Sequence, residues 1–415
     1  MSTEYRYNHY VSVWYQARFL PFYKKNKELF YLDLKPGNFI DPRGVIHAQR
    51  ALRRLGPRHC FAEKDLYTTY FGSVLSTEIE QIFFGQIDSK GRSGVEYFAN
   101  FKHPSAAGEA LFNNMLMYIS TQKLRTPKGL GWLSDLAKTT ERNKILKLML
   151  ELRQIYCAIW AECIWLIADA SQSSTKFIIS DHPVTVYNRR CGPRSQWCRC
   201  TNDPDIWLHG THTLFPLSLD KILILTNLSW VRNPYHSEVG LRPNADPFRS
   251  AMFNFMDIQT LRYLNEQEVR EINFIIKSRA YRYIGAAEEE WLYPEKYVTK
   301  SDWYRYGNGY LLMPDPRSVR YGSEIIIGHS DGTSSSFDEY GHRPWQEGYR
   351  GRNHGVSDDW YTFHRFQGEF ARLFGPYRRG RAFFGHVDKE CDDDEFHQYH
   401  LGLEKKSRSK GRKKK

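Results

Sequence analysis

The stretch Phe177-Ile178-Ile179-Ser180-Asp181-His182-Pro183-Val184 divides the middle of this sequence into structural elements. Its first four residues form a short run, apolar and partly β-branched, which predicts a buried strand. Asp181 and Pro183 end the strand, because proline cannot donate the backbone hydrogen bond that a central strand requires. The sequence therefore predicts a strand whose exit carries a carboxylate.

Three consecutive residues of this stretch, Ser180, Asp181 and His182, are the residue types of a hydrolytic nucleophile, orienting acid and base. Neighbours in an extended strand point to opposite faces, so the three side chains cannot form one relay. We therefore expect Asp181 to work with residues that are distant in the sequence. Ser180 and His182 are interpreted as framework.

Helical and extended patterns surround this strand. Apolar residues keep helical spacing from about residue 143 to 168 with no interrupting Gly or Pro, which predicts one long helix. Thr77 and Glu80 fit a capping box at the start of an earlier helix, and a third helix is predicted over 265–283. Strands are predicted in the first 70 residues and in later apolar runs. The predicted fold class is α+β, with helices packed on a small mixed sheet.

Composition divides the chain into three regions. Residues 1–288 hold these elements and are predicted to form the α+β domain. Residues 289–404 are dense in Gly, Tyr, Trp and Arg, and we interpret them as an appended aromatic-rich C-terminal module. Residues 405–415, KKSRSKGRKKK, carry eight basic residues and no acid, which predicts a disordered basic tail.

The net charge of +12 is concentrated in this tail, so residues 1–404 carry only +4. A block of like charges suits loose contact with polyanions, and it equally suits a solubilising arm. Both interpretations stay open.

A membrane partner is not expected. The most apolar run, 155–168, is 14 residues long and contains Glu162, whereas a spanning helix needs about 20 apolar residues. The N-terminus has no apolar signal core, and the seven cysteines are odd in number and dispersed. These features favour a reducing, cytoplasmic location. The sequence has no Walker loop, no Rossmann glycine fingerprint after a strand and no zincin helix, which disfavours nucleotide-driven and cofactor-driven chemistry.

Several landmarks occur in the order found in a known family. They are Asn8-His9-Tyr10-Val11, Ala62 to Tyr67, Glu78-Ile79-Glu80, Phe177 to Val184, Phe215 to Ser218, and the predicted helix over 265–283. Over residues 8 to about 285 the chain resembles domain of unknown function 4238. This resemblance implies a shared α+β fold, and the family has no established activity to lend. The family usually has Pro where Ser12 stands here, and often Asn where His182 stands.

Asp181 at the strand exit is the centre of the predicted site. His9 and Glu63, brought from elsewhere in the chain, would complete an acid/base pair or half of a metal site. The alternative is structural: Asp181 caps the turn before Pro183, and His9 binds a backbone carbonyl. The predicted catalytic residues are His9, Glu63 and Asp181.

Two further groups could hold a cation. The carboxylates Glu63, Asp65, Glu78 and Glu80 are of the kind that magnesium prefers, although the last two also suit a helix start. A zinc ligand set is disfavoured by its irregular spacing; its members are Cys191, Cys198, Cys200, His209 and His212. A divalent cation thus stays open as a cofactor, with zinc disfavoured.

The C-terminal region interleaves basic and aromatic residues. Such mixing suits single-stranded nucleic acid, and it equally suits a module that packs its own rings against its arginines. The predicted nucleic-acid-binding residues are Arg378, Arg379, Arg381 and Lys413.

Three functions remain open at this point. The first is a nucleic-acid-directed hydrolase or toxin-like effector that holds a polyanion through the tail and the aromatic module. The second is a non-catalytic module that binds nucleic acid or protein. The third is a small-molecule hydrolase, which would require a closed pocket beside Asp181. The oligomeric state is not indicated by the sequence.

Overall fold

The structure is a computed structural model of the 415-residue chain. It describes residues 7–21, 27–67, 69–71, 74–76, 84–105, 107–161, 163–189, 191–193, 195, 198, 203–204, 206, 211–227, 258–307, 310–311, 324–328, 330–338 and 343–346.

The α-helices are concentrated in the first half of the described chain. Their bounds are α1 Val13–Ala17, α2 Gly85–Ala99, α3 Gly108–Arg125, α4 Pro127–Ala137, α5 Arg142–Ala161 and α6 Glu266–Arg279. Helix α3 packs against α2, α4 and α5, so it lies at the centre of the helical layer. Within the described residues, no helix has the length and apolar character needed to cross a membrane.

Two sheets form the framework behind these helices. The first has the order β11-β12-β13-β9-β14, and its strands are β9 Ile164–Asp169, β11 Thr185–Tyr187, β12 His212–Pro216, β13 Lys221–Thr226 and β14 Gln259–Tyr263. Only β14 runs parallel to its neighbour. The second sheet is antiparallel with the order β10-β15-β2-β5, and its strands are β2 Leu29–Asp33, β5 Leu52–Leu55, β10 Ile179–Ser180 and β15 Tyr283–Ala286.

The remaining strands form antiparallel pairs. These are β1 Tyr7–His9 with β6 Ala62–Lys64, β3 Asn38–Ile40 with β4 Ile46–Ala48, β7 Thr69–Phe71 with β8 Val74–Ser76, and β16 Glu324–Gly328 with β17 Ser334–Asp338.

One apolar core joins the helices to the five-stranded sheet. Tyr15 of α1 stacks on Phe215 of β12 with 5.2 Å between ring centroids, and its hydroxyl donates to the carbonyl of Pro216. Trp165 of β9 is buried against the helical layer. Buried side chains that follow β15, as far as Leu311, belong to the same core. The predicted α+β class is confirmed.

The long helix predicted over 143–168 is confirmed as far as Ala161 and is wrong beyond it. Helix α5 ends at Ala161, and residues 164–169 form β9 between β13 and β14. Almost every residue of β9 is buried, so both faces of the strand are apolar. A strand of that kind cannot be told from a buried helix by periodicity alone.

The third predicted helix is confirmed in its start and corrected in its end. Asn265 and Glu268 form the full capping box at the start of α6. The helix ends at Arg279, and Tyr283 begins β15 instead of continuing the helix. The predicted capping box at Thr77 and Glu80 lies outside the described residues, and α2 is observed from Gly85.

Helices α2 and α3 approach closely at Gly91 and Gly94. A Cβ atom added at Gly94 would lie 2.8 Å from the backbone nitrogen of Met115 and 2.9 Å from the carbonyl oxygen of Leu111. Backbone atoms cannot swing aside as a side chain can, so this contact requires glycine. Gly131 of α4 is the opposite case, because a Cβ there would meet nothing within 4 Å.

We expect Gly94→Ala to lower the free energy of unfolding by about 1–3 kcal/mol, because the added methyl group overpacks the α2–α3 contact. Gly131→Ala should instead raise it by about 0.4–1 kcal/mol, through lower entropy of the unfolded chain and better helix propensity. Urea unfolding of the two variants measures both changes. Equal stability of the two would contradict the packing described here.

Candidate functional site

A pocket with a volume of about 630 Å³ lies beside the exit of β10. Four parts of the chain form its walls: the β1–β6 pair, helix α4, the start of α5, and the segment that leads into β15. Its lining residues are Tyr10, Ala62, Glu63, Leu66, Pro127, Leu130, Gly131, Ser134, Thr140, Arg142, Ile145, Asp181, Tyr281, Arg282 and Tyr283. The volume falls in the range of small-molecule sites, about 300–1,000 Å³.

Asp181 fixes one wall of this pocket. Its Oδ1 accepts a hydrogen bond from the backbone N–H of Tyr281 at 2.9 Å. Its Oδ2 accepts from the N–H groups of Arg282 at 2.6 Å and Tyr283 at 2.8 Å. The backbone N–H of Asp181 in turn donates to the carbonyl of Tyr283. The carboxylate therefore caps three successive amides of a distant segment, and not the turn before Pro183 that the sequence suggested.

The ionisation of Asp181 reflects two opposed effects. Burial raises its pKa to about 6, while the three backbone N–H groups and the charge of Lys128 act in the lowering direction. The hydrogen bonds favour the ionised form because each donor points at a carboxylate oxygen. Protonation of Asp181 would thus weaken the contacts that shape the wall.

His9 and Glu63 have different surroundings. The imidazole Nε2 of His9 donates to the carbonyl of Arg58 at 3.0 Å, as the structural alternative predicted, and His9 is not among the residues that line the pocket. Burial lowers the pKa of His9. Glu63 lies on β6 and lines the pocket together with Asp181. The structure therefore brings together two of the three predicted catalytic residues.

Glu63 is an exposed carboxylate that has no hydrogen-bond or ion-pair partner within the described part of the chain. Asp65, its proposed companion in cation binding, lies in the next turn with φ of 58° and does not line the pocket. Glu78 and Glu80 lie outside the described residues. The hydroxyl of Tyr10 is affected by both acids. Burial raises its pKa well above the usual range, and the negative charges of Asp181 and Glu63 add to that effect.

His182, the residue after Asp181, belongs to a buried polar cluster. The ammonium of Lys123 donates to Nε2 of His182 at 2.8 Å and to Oδ2 of Asp203 at 2.5 Å. The ammonium of Lys128 donates to Oδ1 of Asp203 at 2.7 Å and to the carbonyl of Arg279 at 2.6 Å. These contacts tie α3, α4 and α6 to the turn after β10.

His182 is neutral in this cluster. Its Nε2 lies 2.8 Å from the ammonium of Lys123 and 3.2 Å from Oδ2 of Asp203, and its Nδ1 lies 2.7 Å from Oγ1 of Thr126. Burial and the charge of Lys123 lower its pKa to about 3. Ser180 instead accepts the backbone N–H of His182. Ser180, Asp181 and His182 therefore have separate partners, and the expectation that they form no relay is confirmed.

The sequence did not indicate Lys123, Lys128 and Asp203. The two lysines flank the α3–α4 junction, where a segment rich in basic residues looks like an exposed face. Charged side chains are rarely fully buried unless they are paired, and Asp203 supplies that pairing from 75 or more positions away. Nothing local in the sequence reports such a partner.

Part of the disfavoured zinc set is also buried. A hydrogen bond with Cys191 and the nearby Arg279 guanidinium lower the pKa of the Cys198 thiol to about 6. His212 is bonded to Thr226 in the neighbouring strand. Cys200 and His209 lie outside the described residues. Among the residues that are described, no group of three or more His, Cys, Asp or Glu side chains is placed to hold a metal ion.

The nucleic-acid-binding residues that the sequence suggested, Arg378, Arg379, Arg381 and Lys413, lie outside the described residues. That role therefore stays a prediction.

Fold and pocket together define an α+β protein with a mixed polar and apolar pocket at a strand exit. Residues 132–290 match the family described as "Protein of unknown function (DUF4238)", which confirms the family resemblance over that segment. The match includes Arg142, Asp181 and Arg282, while Glu63 lies before it. No curated protein and no solved structure matches the chain.

His182 gives the cluster a testable pH dependence. As pH falls below about 6.5, the unfolded chain binds a proton at His182, but the folded chain does not do so until about pH 3. Stability should therefore decrease with falling pH in that window, by up to about 1.4 kcal/mol per pH unit from this residue. His182→Asn should remove that contribution. Urea unfolding between pH 7 and 4 measures the slope, and identical slopes in both proteins would contradict a buried neutral His182.

Proposed function

We propose that this protein binds a small polar molecule in the pocket and hydrolyses it, with Glu63 as the general base. The observation that supports the proposal most strongly is Glu63 itself, a carboxylate that lines a pocket of about 630 Å³ and has no hydrogen-bond or ion-pair partner among the residues that the structure describes. A general base must reach the reacting proton and must not be neutralised by another group. Glu63 meets the second condition, and its place in the pocket wall favours the first.

The proposed reaction uses water as the nucleophile. Glu63 takes one proton from the water molecule as the water oxygen forms a bond to the electrophilic carbon or phosphorus of the substrate. The bond to the leaving oxygen then breaks, and the proton passes from Glu63 to that oxygen. Apolar side chains of Leu66, Leu130 and Ile145 in the same pocket would limit competing access of bulk water.

Asp181 has a positioning role in this proposal. Both of its oxygens already accept backbone hydrogen bonds, and only 1% of its surface is exposed. It holds the segment 281–283 that forms one wall of the pocket. Of the three residues that the sequence predicted as catalytic, Glu63 is therefore the one to which we assign proton transfer.

A second candidate is binding without turnover. The observation that favours it is that His9 and Asp181 are both engaged in backbone hydrogen bonds, so that Glu63 alone of the predicted set has no partner within the described ranges. The nucleic-acid-directed role suggested by the C-terminal residues stays a separate prediction.

Glu63→Gln tests the hydrolase. The variant keeps the shape of the side chain and removes the base, so kcat/KM should fall by about 100-fold or more. Turnover of p-nitrophenyl acetate, p-nitrophenyl phosphate and bis(p-nitrophenyl) phosphate provides the measurement. The matched control is Glu151→Gln, an exposed carboxylate of α5 that does not line the pocket.

The thermal unfolding midpoint of both variants should remain that of the parent protein, because both side chains are exposed. Turnover that survives Glu63→Gln undiminished would contradict the assignment of the base. Ligand binding in the absence of any turnover would favour the second candidate.

A further inference from the structure

The charged groups that line the pocket fall into a paired and an unpaired set. Arg282 is held by Asp33 through a bidentate contact, with Nε 3.0 Å from Oδ1 and Nη2 2.9 Å from Oδ2. Asp181 is held by three backbone amides. Glu63 and Arg142 remain without a hydrogen-bond or ion-pair partner in the described part of the chain. A ligand therefore meets one available carboxylate and one available guanidinium.

Arg142 lies at a helix position that is unfavourable for a cation. It is the first residue of α5, and the first turn of that helix contains no acid. A positive side chain at a helix N-terminus is unfavourable, because the helix dipole is also positive there. The neighbouring Glu141 and Lys144 pair with each other at 2.7 Å, so Glu141 does not neutralise Arg142. The two positive contributions add at this side of the pocket.

Further cations flank the opposite wall. The ammonium of Lys35 lies 4.9 Å from the ring centroid of Tyr281, which lines the pocket. Arg53 of β5 is paired in register with Tyr31, whose ring stacks on Tyr283 of the same wall. Arg53 is exposed and has no hydrogen-bond or ion-pair partner among the described residues. Lys35 and Arg53 therefore add positive charge beside a lining whose own four charged side chains, Glu63, Arg142, Asp181 and Arg282, sum to zero.

We infer that the ligand of this pocket is a small organic anion, a phosphate or a carboxylate, whose negative group pairs with Arg142. A guanidinium binds either group through two parallel hydrogen bonds, which gives orientation as well as attraction. Glu63 repels a second negative charge, so the remainder of the ligand near Glu63 is uncharged. The inference deepens the proposed function, since it names the substrate class of the same site.

Four probes that share one ring separate charge from shape: phenyl phosphate, benzoate, benzylammonium and benzyl alcohol. Isothermal titration calorimetry of the full chain with each probe gives the dissociation constant. We expect the two anions to bind more tightly than the alcohol and the cation, and to weaken as ionic strength rises. The ratio between phenyl phosphate and benzoate identifies which anion the site prefers.

Arg142→Gln should weaken binding of the preferred anion by about tenfold and leave benzyl alcohol unchanged. Lys147→Gln is the matched control, because it removes the same charge from the same helix at an exposed side chain that does not line the pocket. Circular dichroism of both variants checks that α5 is retained.

Equal effects of Arg142→Gln and Lys147→Gln, tighter binding of benzylammonium than of the anions, or no anion binding at millimolar concentration would overturn the inference. Its failure is distinct from failure of the hydrolase. Anion binding that depends on Arg142 without turnover of any ester supports this ligand class and contradicts hydrolysis. Turnover that depends on Glu63, with no preference for anions, supports hydrolysis and contradicts this ligand class.

Discussion

The carboxylate of Asp181 is the contact on which the site depends. It accepts three successive backbone N–H groups from residues 281–283, at the point where the chain passes from α6 into β15. Without those acceptors the three part-buried amides would each lose a hydrogen-bond partner, and a hydrogen bond of this kind contributes about 0.5–1.5 kcal/mol. The same segment carries Arg282, whose pairing with Asp33 attaches the wall to β2. One side chain thus holds the segment between α6 and β15 and also lines the pocket.

Behind this wall, the cluster of Lys123, Lys128, Asp203 and His182 connects the helical layer to the turn after β10. Burying two ammonium groups is unfavourable unless they are paired, and a single carboxylate bridges both. Removal of Asp203 would leave two buried ammonium groups without their carboxylate, which is strongly unfavourable. Two sets of contacts therefore fix the exit of β10: the backbone amides of 281–283 donate to Asp181, and the ammonium of Lys123 donates to His182.

The sequence predicted the features that depend on neighbours along the chain. The capping box of Asn265 and Glu268 spans three positions, so its residue types were sufficient. Thr126 before Pro127 is a similar local signal for the start of α4. The sequence of β9 predicts helix, because burial on both faces removes the alternation that marks a strand. The site was predicted only in part: Asp181 and Glu63 were identified, but Arg142 and the amide partners of Asp181 come from segments about 40 to 100 positions away, with no local pattern.

The central claim is that Asp181 builds the pocket wall and does not itself react. Amide hydrogen exchange in Asp181→Ala, followed residue by residue by NMR, tests it most directly. The account predicts that Tyr281, Arg282 and Tyr283 lose protection, while the amide of Glu268 in the capping box of α6 keeps it. Unchanged protection at all three amides, in a variant that has lost turnover, would contradict the account and make Asp181 a reacting group.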